Sequence, residues 1–140
     1  MDAQRIIIAG ASRNPKKFGN IVVRELLEKG FEIIPVNPTG ESIEGLKTYR
    51  NLLEIDSPCD HLVILTKKTE TEKLVEDAIY RNIRNIWIQQ QSETPEAIAK
   101  AREAGINVIT KKCILMYAEP VKGVHTFHRL LVKLFGRYSS

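Results

Sequence analysis

Arg5-Ile6-Ile7-Ile8-Ala9, running directly into Gly10-Ala11-Ser12-Arg13-Asn14-Pro15-Lys16-Lys17-Phe18-Gly19, is the stretch that decides the fold. The apolar, β-branched run reads as a strand, and the glycine loop after it reads as a strand-to-helix turn. From Asn20 to Lys29, Ile21, Val22, Leu26 and Leu27 recur at helical spacing, and Gly30 supplies the stop. Phe31 to Val36 is a second strand, closed by the turn signal Asn37-Pro38. Thr39 to Pro58 is polar and irregular, with at most a short helix from Tyr49 to Glu54. A third strand spans His61 to Leu65, and Glu70 to Arg81 is a helix with Leu74, Val75, Ala78 and Ile79 on one face. Asn85 to Ile88 is the fourth strand, Pro95 to Ala104 a helix ending at Gly105, and Ile106 to Thr110 the fifth strand. Alternating strands and helices predict an α/β fold, a Rossmann-type doubly wound parallel five-stranded sheet. The expected strand order is 3-2-1-4-5. Residues 1–120 are expected to form this domain, and 121–140 an added C-terminal helix.

Open parallel sheets bind ligands beyond the carboxyl ends of their strands, near the point where strand order reverses. Basic residues sit at three such ends: Arg13, Lys16 and Lys17; then Lys67 or Lys68 after Thr66; then Lys111 or Lys112. Cations converging beside helix N-termini suit an anion with several charges, most naturally phosphates. Against this, lysine pairs are common on any surface, and Gly10 also serves a plain tight turn. Aligned on Gly10, the dinucleotide fingerprint G-x-G-x-x-G requires glycine where Ser12 and Pro15 stand. The end of the second strand carries Val36-Asn37-Pro38 in place of the acid that would hold NAD ribose hydroxyls. Both departures weigh against a nicotinamide site.

No catalytic constellation emerges. His61 opens a strand and is expected to be packed, while His125 and His128 have no third metal ligand at suitable spacing. Cys113, after Lys111-Lys112, is the one candidate for a lowered thiol pKa, with a quiet buried thiol as the commoner alternative. Cys59 is expected at the opposite edge of the sheet, so the two cysteines are not expected to pair.

At 140 residues, with 43% hydrophobic and 27% charged residues, the chain is expected to be one soluble globular domain. A net charge of +4 suits an anionic small molecule and is too weak to argue for nucleic acid. No apolar run approaches bilayer length, and the strand begins too early to leave room for a targeting segment. Two cysteines fit a reduced cytoplasm. The tail from Val121 to Tyr138 is amphipathic, with Val121, Val124, Phe127, Leu131, Leu134 and Phe135 on one stripe. It is expected to pack back on the domain, or else to contact a homodimer mate or another protein, with an anionic membrane surface as the third and least favoured alternative.

The loop from Gly10 to Gly19, the segments Pro35-Val36-Asn37-Pro38 and Ile43-Glu44-Gly45, Tyr49, Ile86-Trp87-Ile88-Gln89 and Ala101-Arg102-Glu103-Ala104-Gly105 together resemble a known family. It is that of the small bacterial and archaeal CoA-binding proteins, relatives of the CoA-binding domain of succinyl-CoA synthetase and NDP-forming acyl-CoA synthetases. The likeness covers about residues 4 to 115. It implies coenzyme A as the ligand, with Gly10, Ala11, Ser12, Arg13, Lys16, Lys17 and Gly19 around its phosphates. Asn37 and Pro38 would border the nucleotide, and Thr66, Lys67, Gln89 and Cys113 would line the rest of the groove. The chain differs from the family at Thr66-Lys67-Lys68, Gln89-Gln90-Gln91, Lys111-Lys112-Cys113 and Tyr117-Ala118-Glu119-Pro120. The leading expectation is a non-catalytic binder of CoA or an acyl-CoA. The alternative is an NAD(P)-dependent oxidoreductase or nucleotide-binding redox sensor.

Overall fold

The structure is a computed structural model that describes residues 5–112, with side chains through Thr110. Five parallel strands, β1 (Arg5–Ala9), β2 (Glu32–Val36), β3 (His61–Ile64), β4 (Asn85–Gln89) and β5 (Asn107–Lys112), form one sheet. Three helices connect them: α1 (Phe18–Glu28), α2 (Lys68–Tyr80) and α3 (Pro95–Glu103). Between β2 and β3 there is only a single 3₁₀ turn, Leu52–Glu54, as the polar composition of that stretch predicted.

The strand order is 2-1-3-4-5, which corrects the expected 3-2-1-4-5. β1 pairs with β2 on one side, Ile7 beside Ile34, and with β3 on the other, Ile7 beside Leu62. The physical reason lies in the 37–60 connection. A right-handed return from β2 across β1 must run over the face opposite α1. Leu52 and Ile55 of that connection are buried on the face that also carries Val75 and Ala78 of α2 and Ala97 and Ala101 of α3. Val22, Val23 and Leu26 of α1 bury against Ile6 and Ile8 on the other face. Strand β1 is therefore apolar on both faces because it is central: Ile6, Ile7 and Ile8 are all buried.

Strand β5 also runs further than expected. A bulge between Ile88 and Gln89 lets Lys112 pair with Gln89, so Lys111 and Lys112 belong to the strand and not to a loop after it. The expected C-terminal helix, the 120/121 boundary, His125, His128 and Cys113 lie outside the described residues. Among the described residues, no helix is long and apolar enough to cross a membrane.

Candidate functional site

The sheet reverses its winding between β1 and β3, and their carboxyl ends open into the two loops that matter. The two ends touch. The Leu65 N–H donates to the Ala9 carbonyl at 2.8 Å. A Cβ placed on Gly10 would stand 2.7 Å from the Leu65 carbonyl carbon, and Gly10 also has φ +122°. Only glycine satisfies both conditions. Beyond this contact lies a cavity of about 570 Å³. Gly10, Ala11, Ser12, Lys17, Phe18 and Gly19 line one side, and Val36, Asn37, Pro38, Arg50 and Asn51 a second. Leu65, Thr66, Lys67 and the side chains of α2 from Thr69 to Asp77 complete it.

Two helices begin at this cavity, and both are uncapped. Lys17 precedes α1 and Lys67 precedes α2, each in extended conformation and neither with a side-chain capping bond. By contrast, α3, which packs beside α2 and away from this cavity, is capped by Thr94, whose hydroxyl accepts from the Ala97 N–H at 3.1 Å. Uncapped first-turn N–H groups and the positive end of the helix dipole favour a bound anion, and a lysine at each N-cap adds full charge. Glu70 is the one acid in either first turn. Arg50 and Lys73 add two more cations to the walls, and the Lys73 ammonium pairs with Asp77 at 2.9 Å. That hydrogen bond holds the Lys73 ammonium above the ordinary lysine range.

The first loop is held by Asn20, which is fully buried. Its Oδ1 accepts from the Ser12 N–H at 2.9 Å, and its Nδ2 donates to the Ser12 carbonyl at 2.6 Å and to Glu44 at 3.1 Å. The Ser12 hydroxyl accepts from the Asn14 N–H at 3.1 Å, and the Asn14 side chain accepts from the Lys16 N–H at 3.0 Å. Ser12 is therefore a scaffold residue first, and its backbone N–H is not free for a ligand. Gly19 takes the close-packing role sought at position 15. A Cβ there would lie 2.4 Å from the Gly10 carbonyl oxygen.

On the β2 side, the Asn37 Nδ2 donates to the Ala11 carbonyl at 2.8 Å, tying the second strand end to the glycine loop. Its Oδ1 accepts from the Thr39 N–H and hydroxyl, both at 2.9 Å. Tyr49 lies alongside Val36, with its carbonyl accepting from the Asn37 N–H at 2.8 Å, which brings Arg50 to the cavity. On the β3 side, the Ser92 hydroxyl donates to the Thr66 carbonyl at 2.7 Å, and the Thr71 hydroxyl to the Ser92 carbonyl at 2.6 Å. The turn after β4 thus braces the Thr66–Lys67 loop from behind.

Of the expected site residues, Gly10, Ala11, Ser12, Lys17, Gly19, Asn37, Pro38, Thr66 and Lys67 line one cavity. Arg13, Lys16 and Gln89 do not. Arg13 is three-quarters exposed and paired with Glu41, and Lys16 projects into solvent. Lys68 is the first residue of α2. Gln89 is buried at the end of β4, one strand beyond the split, and the altered strand order explains its absence from the cavity wall. Lys111 and Lys112 sit two strands from β3. Arg50, Lys73 and Asp77 were missed. The helical spacing of Lys73 and Asp77 was a signal for a pair, whereas nothing local marks Arg50.

His61 and Cys59 lie at the opposite, amino edge of the sheet. Burial holds the His61 imidazole below the ordinary histidine range, with Asp60 opposing. Burial also pushes the Cys59 thiol up, and the thiol donates to the Arg5 carbonyl at 3.4 Å. Among the described residues no group of three His, Cys, Asp or Glu side chains is placed to hold a metal ion.

A family model described as a CoA binding domain matches residues 4–119. The uncharacterized protein YneT of Bacillus subtilis is 31% identical over 112 residues, covering 80% of this chain and 83% of its own. A conserved hypothetical protein from Pyrococcus furiosus superposes with a TM-score of 0.76 at 34% identity, covering 81% of this chain and 97% of that one. The alpha subunit of the ADP-forming acetate–CoA ligase II of Pyrococcus furiosus is 26% identical over 120 residues. The match takes in 78% of this chain and 26% of the ligase subunit.

Proposed function

Because the chain belongs to the CoA binding domain family, we propose that it binds coenzyme A or an acyl-CoA, without catalysing a reaction, in the crevice between β1 and β3. The observation that carries this reading is the pair of uncapped helix N-termini, led by Lys17 and Lys67, on either side of one cavity. The pyrophosphate belongs between them, where backbone N–H groups and two ammonium groups meet it. Asn37 and Pro38 border the nucleotide. A volume of about 570 Å³ lies within the range of small-molecule sites. Among the described residues, the only carboxylates lining the cavity are Glu70 and Asp77, and Asp77 is held by Lys73. Such a wall favours binding over acid–base chemistry. The ligase relative's own activity belongs to a longer chain, of which this one spans 26%. The setting we read for this protein is the cytoplasm.

The test is calorimetric titration with CoA, acetyl-CoA, NAD and NADP, with thermal unfolding alongside, since a ligand that binds only the native state raises apparent stability. CoA is expected to bind more tightly than NAD, because Asn37 offers no carboxylate to the ribose hydroxyls and is already bonded to Ala11 and Thr39. NAD binding as tight as CoA binding would transfer the site to the oxidoreductase alternative.

A further inference from the structure

Arg50 enters the cavity from outside every motif in the chain. It follows Tyr49, which is fixed against the end of β2 by two backbone bonds, the Asn37 N–H to the Tyr49 carbonyl at 2.8 Å and the Tyr49 N–H to the Pro35 carbonyl at 3.1 Å. The Arg50 N–H donates to the Glu54 carboxylate at 3.1 Å, which fixes the start of its side chain. The stem then lies across the turn that begins at Asn37. A Cβ on Gly40 would be 3.0 Å from Arg50 Cγ and 3.1 Å from Nε, so the bare glycine provides the shelf. Arg13 and Arg24 are paired with Glu41 and Glu44, but the Arg50 guanidinium has no carboxylate partner among the described residues. It lines the same cavity as Asn37 and Pro38.

In dinucleotide-binding sheets, which share the β1–α1–β2 unit seen here, the end of the second strand reads the ribose. An acid there takes the ribose hydroxyls, and an arginine nearby takes a phosphate on the ribose. Here the acid is replaced by Asn37, and the arginine comes from the next loop. We infer that Arg50 is a specificity-determining residue for a ribose monophosphate, so that the site distinguishes CoA from its form lacking the 3′-phosphate. This rests on the CoA reading above. A planar guanidinium beside a phosphate dianion makes a bidentate, charge-assisted pair, which an ammonium reproduces only as a point charge.

The experiment is calorimetry with CoA and dephospho-CoA on the parent protein, Arg50→Ala and Arg50→Lys. The parent is expected to bind CoA about ten- to a hundredfold more tightly than dephospho-CoA, the range of one or two hydrogen bonds to a charged group. In Arg50→Ala that difference should collapse, with dephospho-CoA binding unchanged, which also shows that the variant is folded. Arg50→Lys should recover part of it. Equal binding of both ligands by the parent, or an equal loss for both in Arg50→Ala, overturns the inference and leaves the CoA reading standing. Binding of neither ligand by the parent removes that reading and this inference together.

Discussion

Gly19→Ala tests the geometry on which the site depends. The added methyl would lie 2.4 Å from the Gly10 carbonyl oxygen, 2.8 Å from the Gly10 carbonyl carbon and 2.9 Å from Ala11 Cα. Ordinary contact begins at 3.4 Å, so the start of α1 must retreat by about 1 Å. All three opposing atoms are backbone and cannot turn aside. Asn20, the next residue, is also bonded to Ser12 at both its N–H and its carbonyl. Alanine is favoured over glycine within a helix by about 1 kcal/mol, while overpacking of a filled space costs about 1–3 kcal/mol. Three backbone atoms nearer than 3.0 Å put the clash in the upper part of that range, about 2–3 kcal/mol, so it should win, with a net loss of roughly 1–2 kcal/mol and a fall in Tm of about 3–8 °C. CoA binding should weaken about tenfold, because the uncapped N–H groups move away from the anion. Unfolding can be followed by the fluorescence of Trp87, the only tryptophan, which is fully buried. Gly105→Ala is the comparison. Nothing lies within 4 Å of its Cβ, and its φ of +82° predicts strain of about 1 kcal/mol with no effect on CoA. A Gly19→Ala protein as stable as the parent, or more so, would mean that helix propensity acts alone and that α1 does not seat against the glycine loop.

Three further outcomes follow from the same structure. Lys17→Ala and Lys67→Ala should each weaken CoA binding by about 1–2 kcal/mol in a salt-sensitive way, whereas Arg13→Ala and Lys16→Ala should change it by less than about 0.5 kcal/mol; titrations at two salt concentrations would show whether the effects sort this way. Because burial lowers the His61 pKa on folding, the unfolded chain takes up the proton first, so stability should decline as pH falls below 6.5 and level off below the folded value. Denaturant titrations across that range should show a shallower slope for His61→Gln, and an unchanged slope would locate the pH dependence elsewhere. Cys59, half-buried with a raised thiol pKa, should alkylate more slowly in the native protein than in denaturant, by peptide mass spectrometry. Comparable rates in the two states would contradict the raised pKa.

Local pattern was enough to locate every strand and helix in the described chain. The isoleucine run of β1, the spacing of Val22 and Leu26, and the glycines after α1 and α3 are signals carried within a few residues, because a helix or strand is chosen by neighbours in the chain. The loops at Gly10 and Thr66 were legible for the same reason: each follows a strand directly, and parallel sheets bind ligands at such ends. Strand order was not legible. Both 3-2-1-4-5 and 2-1-3-4-5 bury β1 on both faces, and the choice depends on which face the connection after β2 crosses. Leu52 and Ile55 settle that only when they meet α2. Everything downstream of the order went with it. Placing β3 beside β1 brought Thr66 and Lys67 against the glycine loop and left Gln89 outside. Arg50 and the Asn20–Ser12 lock were not legible either, because each depends on a contact between a loop and a neighbouring element that no local pattern marks. Residue type and spacing determine which elements form and where a ligand can sit, because those depend on local sterics and periodicity. Which side chains share the site depends on contacts between distant segments, and only the packed sheet brings those segments together.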